Sequence, residues 1–199
     1  MTFYVLLRSV ALLAVIFSPC EAFMHATKCF PVSPKLQALP SIDDLRSDGF
    51  MKQVGHASEL VEMIGSDDME QSKLTDMIKV QLSHSDGIRA FFANYLTKAD
   101  GPADLEQVPA LVNAAMMSID DQSDLVAISC MNVIMPIAMS TIHKQAELQN
   151  NSHKTAVRAL KILVALNYNP EVERNCKAIH AAATENKNID SEPSLVEVS

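Results

Sequence analysis

The sequence predicts an all-α protein, a single bundle-like helical domain around one buried central helix. No window sustains apolar–polar alternation with β-branched enrichment, so strands have no support. Apolar residues instead recur three and four apart in successive windows, the period of a helix face. Helix-start chemistry is also present. Asn169-Pro170-Glu171 places an N-cap, a proline at the first helical position and an acid in the first turn.

The elements follow in order. Asp67-Asp68-Met69-Glu70 has capping-box spacing and opens a helix to about Leu82, with Leu74, Met77, Ile78 and Leu82 as its apolar face. Gly55 and Gly65 mark breaks. A second helix follows Ser85 and presents Ile88, Phe91, Phe92, Tyr95 and Leu96; Arg89 beside these rings reads as an exposed arginine on a packed helix. Lys98-Ala-Asp-Gly-Pro102 is a turn, and Pro109 starts or kinks Ala110 to Met117. Ser118-Ile-Asp-Asp121 then caps the next helix.

That next helix is the expected centre of the fold. Leu125 to Ile142 holds no Asp, Glu, Lys or Arg and is apolar nearly all round, which predicts burial on every side. Its length is near the lower limit for a membrane span. Ser129, Asn132, Pro136, Ser140 and Thr141 dilute it, however, and Asp124 and His143 bound it, so a core helix is expected and no stable transmembrane span in the mature chain. Pro136 removes a backbone donor and predicts a kink. Asn132 is expected to pair with the carbonyl that Pro136 frees. Ser152 opens a helix through Asn167, with a seam at Val157, Leu160 and Val164 and a second row at Ala156, Leu163 and Leu166. The last helix has its seam at Val172, Cys176, Ile179 and Ala183, and the tail 185–199 reads as frayed and acidic.

The N-terminus carries an address. One positive charge, Arg8, precedes the apolar run Val10 to Phe17, and small residues stand at Cys20 and Ala22, where a signal peptidase reads. Residues 1–22 therefore read as a signal peptide. From Phe23 to Ile42 there is no acid, and Lys28, Lys35, Thr27, Ser33 and Ser41 give transit-like composition. At the junction stands Glu21-Ala22-Phe23-Met24. A small residue followed by Phe, then an acid-free stretch, resembles the bipartite plastid-targeting presequences of algae with secondary plastids. Glu21 stands where these usually have Ser, and Met24-His25 where they have Ala-Pro. The resemblance implies delivery to a plastid through the secretory route; plain secretion is the alternative. The helical domain is expected over 43–184.

From Asp43 the chain holds 23 acidic and 13 basic residues, a net charge of −10. Nucleic-acid binding is not expected of it, since that needs a basic patch to displace counterions. No Cys-x-x-Cys occurs among the four cysteines, and Cys130 and Cys176 are the pair left in the domain. Gly-rich phosphate loops, zinc-protease and nucleophile-elbow motifs are missing, and nothing specifies a cofactor. Asp67-Asp68 and Asp120-Asp121 read as caps rather than metal ligands. Cys176 and His180 share a helix face and are the single lead toward a thiol with a base, although a buried cysteine beside a helix histidine accounts for them. Asn150-Asn151-Ser152 is a glycosylation sequon in an expected loop.

Met131, Met135 and Met139 are spaced by four, with Met116 and Met117 before them. Methionine adapts its shape and lines grooves for apolar ligands or helices. Met131, Asn132, Met135 and Met139 are therefore the candidate ligand- or partner-binding residues, against a reading as a core stripe. Three functions stay open: a non-enzymatic accessory or interaction protein with a protein partner, a carrier of an apolar lipid or pigment in a Met-lined core, and an enzyme with an unrecognised site. An exposed apolar patch favours the first, a deep apolar cavity the second.

Overall fold

The computed structural model describes residues 39–66 and 69–189. Among these are eight α-helices and no strand, as the periodicity requires. In chain order they are α1 (Ile42–Ser47), α2 (Phe50–Met63), α3 (Gln71–Gln81), α4 (Ser85–Tyr95), α5 (Ala110–Met117), α6 (Ser123–Ile142), α7 (Ala146–Ala165) and α8 (Pro170–Ile189), with a 3-10 turn at Pro102–Asp104. The signal-peptide reading, nearly all of the transit-like segment, the Asp67-Asp68 pair and residues 190–199 lie outside the described residues, as does the side chain of Ala183.

α1 starts on a full capping box. The Ser41 hydroxyl accepts from the Asp44 amide, and the Asp44 carboxylate accepts from the Ser41 amide at 2.9 Å. Leu39 and Ile42 already pack against the core, so the folded chain begins before Asp43. α2 was not delineated from the sequence. Its buried face is Gln53, Ala57, Leu60 and Val61, and Gly55 lies inside it, exposed, rather than at a break. Gly65 is a true break, with φ +91°.

α3 begins at Gln71, later than the Asp67–Glu70 spacing places it, with Glu70 as an N-cap that makes no side-chain bond. α4 begins where the sequence put it. Its cap is His84: Nδ1 accepts from the Gly87 amide at 3.1 Å, which leaves the proton on Nε2 to donate to the Leu45 carbonyl at 2.8 Å. Gly87 is required by close approach, since a Cβ there would lie 1.9 Å from the Gln81 carbonyl oxygen. Beside this turn, buried Gln53 donates to the Leu45 carbonyl, and buried Gln81 to the Gly87 and Gln53 carbonyls, so side-chain amides tie α2 to α1 and α3 to α4 and α2.

α4 is the most enclosed helix. It packs against α2, α3 and α6. Ile88, Ala90, Phe91, Phe92 and Tyr95 are all buried, and the Phe91 and Tyr95 rings stack at 5.3 Å. Arg89 stays outside, near Asp86.

α6 and α7 form the closest-packed pair, an antiparallel hairpin turned at 143–145. α7 starts at Ala146, well before Ser152, so the sequon lies on a helix and not in a loop. Arg158, buried on α7, anchors the hairpin. It grips the Asp104 carboxylate with two nitrogens, at 2.9 and 2.6 Å, and donates to the Leu96 carbonyl at the end of α4, at 2.7 Å. α8 starts at Pro170 behind Asn169, whose side-chain oxygen accepts from the Glu171 amide, as its sequence signature requires. Asn169 and Tyr168 also bond the buried Gln122, closing the α7–α8 link onto the start of α6.

Candidate functional site

The candidate site is the outer face of α6. A helix this apolar must satisfy its few polar groups locally. The Ser129 hydroxyl donates to the Leu125 carbonyl at 2.6 Å, Asn132 Nδ2 to Ile128 at 2.9 Å, and the Ser140 and Thr141 hydroxyls to Ile137 and Ala138. Asn132 thus has a structural role, but not the expected one. The carbonyl left without a donor by Pro136 is its own, four residues back, out of reach of its side chain. α6 continues without interruption through Pro136.

Burial on α6 corrects the expectation of a helix enclosed on every side. Leu125, Val126, Ser129 and Cys130 are buried in the N-terminal half and Val133 just past the middle; beyond them Ala138 alone is. Met131 is 52% exposed and Met135 44% exposed, and Ile142 is exposed too. Met139 and Asn132 are half-buried. Part of the reason is length. At about 1.5 Å per residue, α4 offers roughly 16 Å of core-side support and α6 runs about 30 Å, so the C-terminal half outruns it. Part is arrangement: α6 packs chiefly against α4, α7 and α8, and the side that carries Met131 and Met135 is left exposed among the described residues.

The open side has a definite make-up. Ala127, Met131, Met135 and Ile142 are all exposed and fall on one line of the helix, at spacings of four and seven. No charged residue interrupts it. Met131, Met135 and Met139 are therefore brought together on one face, as their spacing implies, but on the surface and not in a core stripe. Ala127 and Ile142 belong to the same face and were missed, although the same period would have found them.

The partner helix behaves similarly. Val157 and Val164, expected in a packed seam, are 42% and 46% exposed, and Leu160 is half-buried. The row that does the packing is Ala156, Ala159, Leu163 and Leu166, joined by Ile162. Met131 and Val157 stand at equal distances along the hairpin from its turn.

The other chemical leads resolve into structure. The N-cap of α6 is Gln122, which makes no side-chain capping bond, so the expected cap at Ser118–Asp121 does not form; the Asp121 carboxylate instead accepts from the Ser123 amide and hydroxyl in the turn before the helix, which holds it below its ordinary pKa. Burial pushes the Cys130 thiol up to about 11, with Cys176 nearby adding to the shift, and burial raises Cys176 as well. A thiol held protonated is a poor nucleophile. Both cysteines are free. Ser123–Ile142 is the one helix among the described residues long and apolar enough to cross a membrane; in the fold it is a bundle helix with its N-terminal half in the core.

A family model described as "Uncharacterised conserved protein UCP020893" matches residues 49–192, from the N-cap of α2 through α8, and the chain belongs to that family. No curated protein and no solved structure matches the chain.

Proposed function

We propose that this family member is a non-enzymatic accessory protein that binds a protein partner through the exposed methionine face of α6, in a plastid compartment reached by the secretory route. The observation that carries it is the exposure of Met131 and Met135 on a line without charge. A helix face turned to water ordinarily carries charged residues, and contiguous exposed apolar surface marks interaction sites. Methionine is suited to such a face because its unbranched thioether adapts to a partner's shape. The outward direction of Met131 and Met135 takes support from a carrier with a Met-lined interior. The raised Cys176 thiol takes support from an enzyme.

The test uses Met135→Asp in the full chain. Its melting temperature is expected to match the parent's, and the set of proteins cross-linked to the tagged chain in its native cells is expected to lose its main member. An unchanged set with an unchanged melt would overturn the proposal. The address is tested separately. Residues 1–42 fused to a fluorescent reporter are expected to reach the plastid, and Phe23→Glu to block the second import step. Secretion of the unmodified fusion would refute this half.

A further inference from the structure

The methionine line continues past Met139 to a fourth residue at the same interval, His143. We infer that Met131, Met135, Met139 and His143 form a ladder that binds a soft monovalent cation, copper(I).

The ligand chemistry points there. Thioether sulfur and imidazole nitrogen are soft and borderline donors, and thioethers select copper(I) over the hard or divalent ions that need carboxylates or thiolates. No carboxylate falls on α6 between Leu125 and Ile142 to attract a hard ion. The thiol that would compete for a soft one, Cys130, is buried on the core side of the helix.

The spacing is workable. Residues four apart on a helix carry Cβ atoms about 5–6 Å apart, and each methionine adds three rotatable bonds with which to converge its sulfur. One ion can be held between adjacent rungs. Residues eight apart are separated by about 12 Å along the axis and cannot share one. Met135 and Met139 each belong to two rungs, so they are the centre of the ladder. Met131 and Met135 are exposed and Met139 half-buried, so an ion can enter from solvent and lose part of its hydration.

Electrostatics agree. The chain carries a net charge of −8. The ladder climbs toward the C-terminal end of α6, the negative end of the helix dipole. At its middle, Pro136 withdraws the amide that would otherwise meet the Asn132 carbonyl, leaving a partial negative charge beside Met135. His143 ends the ladder beyond the last helical residue. Its backbone carbonyl accepts from Gln149 at 2.7 Å, and its ring makes no hydrogen bond among the described residues.

This inference is independent of partner docking, and leucine separates the two. Met135→Leu together with Met139→Leu keeps the face apolar and nearly the same volume while removing two thioethers. The full chain, with its methionine methyls labelled with carbon-13, is titrated with copper(I) in oxygen-free reducing buffer against a chromogenic copper(I) chelator. The expected result is a shift of the Met135 and Met139 methyl resonances within the first equivalents. The double leucine variant is expected to lose about tenfold or more in affinity, since even outer-shell groups at metal sites are worth that much. His143→Ala is expected to lose less. Unmoved methionine methyls would overturn the inference, and so would binding that survives the leucine variant and disappears with Cys176→Ser. If leucine abolishes copper binding but spares partner cross-linking, the metal site stands on its own. If copper binding is missing and Met135→Asp still removes the partner, the proposed function stands alone.

Discussion

α4 and α6 invert what their compositions suggest. α4 is short and amphipathic, carries Asp86 and Arg89, and is the most deeply enclosed helix of the bundle. α6 is nearly twice as long and has no charge after Asp124, yet it leaves a methionine face in solvent. The difference lies in neighbours. α4 has α2, α3 and α6 around it, and the missing Cβ at Gly87 lets the end of α3 approach closely. α6 has α4 along part of its length only, α7 beside it and α8 near its start. Apolar composition makes burial favourable, but burial needs a surface to pack against, and among the described residues none covers Met131 and Met135 on the outer side of α6. Such a face is where function is to be sought, because packing does not explain it.

The same charge placed in both helices should have opposite consequences. Phe91→Asp buries an unpaired carboxylate beside Tyr95 and is expected to cost several kcal/mol, comparable to the whole stability of a domain this size. Met135→Asp is expected to stay within about 0.5 kcal/mol of the parent, as surface changes do. Thermal melts of the two variants decide; similar losses would mean that α6 is a core helix after all.

A smaller effect tests the closeness around α4. Gly87→Ala drives a methyl group onto the Gln81 carbonyl and the His84 ring. About 1–3 kcal/mol is expected, the usual range for overpacking. Urea unfolding measures it, and a neutral result would show that the α3–α4 turn yields easily.

The link from α4 to the hairpin gives a comparable or lesser loss. Arg158→Ala strips the Leu96 carbonyl and the Asp104 carboxylate of their partner, and about 1–3 kcal/mol is expected. Asp104 is 44% exposed, so its charge adds a modest share after solvent screening. The hydrogen bonds from Arg158 hold its carboxyl below the ordinary value. A depressed carboxyl contributes stability above its unfolded pKa of about 3.9 and loses it as pH falls through the folded value. The gap in melting temperature between the parent and Asp104→Asn is therefore expected to be constant near neutrality and to close below about pH 4. A gap that persists in acid would show that charge is not involved.

The smallest effect has the opposite sign. Gly55 sits on α2 with open space where a Cβ would go. Gly55→Ala is expected to stabilise by about 0.5–1 kcal/mol, because alanine gives up less conformational freedom in a helix. Calorimetry reads it directly, and a loss would mean that this side of α2 is covered in solution.

Sequence alone determined whatever depends on neighbours within one or two turns. The all-helical class follows from apolar spacing. The start of α8 follows from Asn169 and Pro170, and that of α5 from Pro109, since caps and proline act through backbone groups a few residues away. The methionine line is equally local, because a spacing of four on a helix always makes a face. Only the tertiary structure decided which faces meet. The periodicity of α7 offered Val157, Leu160 and Val164 as readily as Ala156, Leu163 and Leu166, and the second row packs because small alanines let α6 come close while Arg158 beside them reaches Asp104 and Leu96. The cap of α4 is an imidazole whose far nitrogen is held by Leu45, a contact 39 residues away that no local pattern records. The open side of α6 is the same kind of fact: hydrophobicity is a property of the residue, and burial is a property of what the rest of the chain brings to meet it.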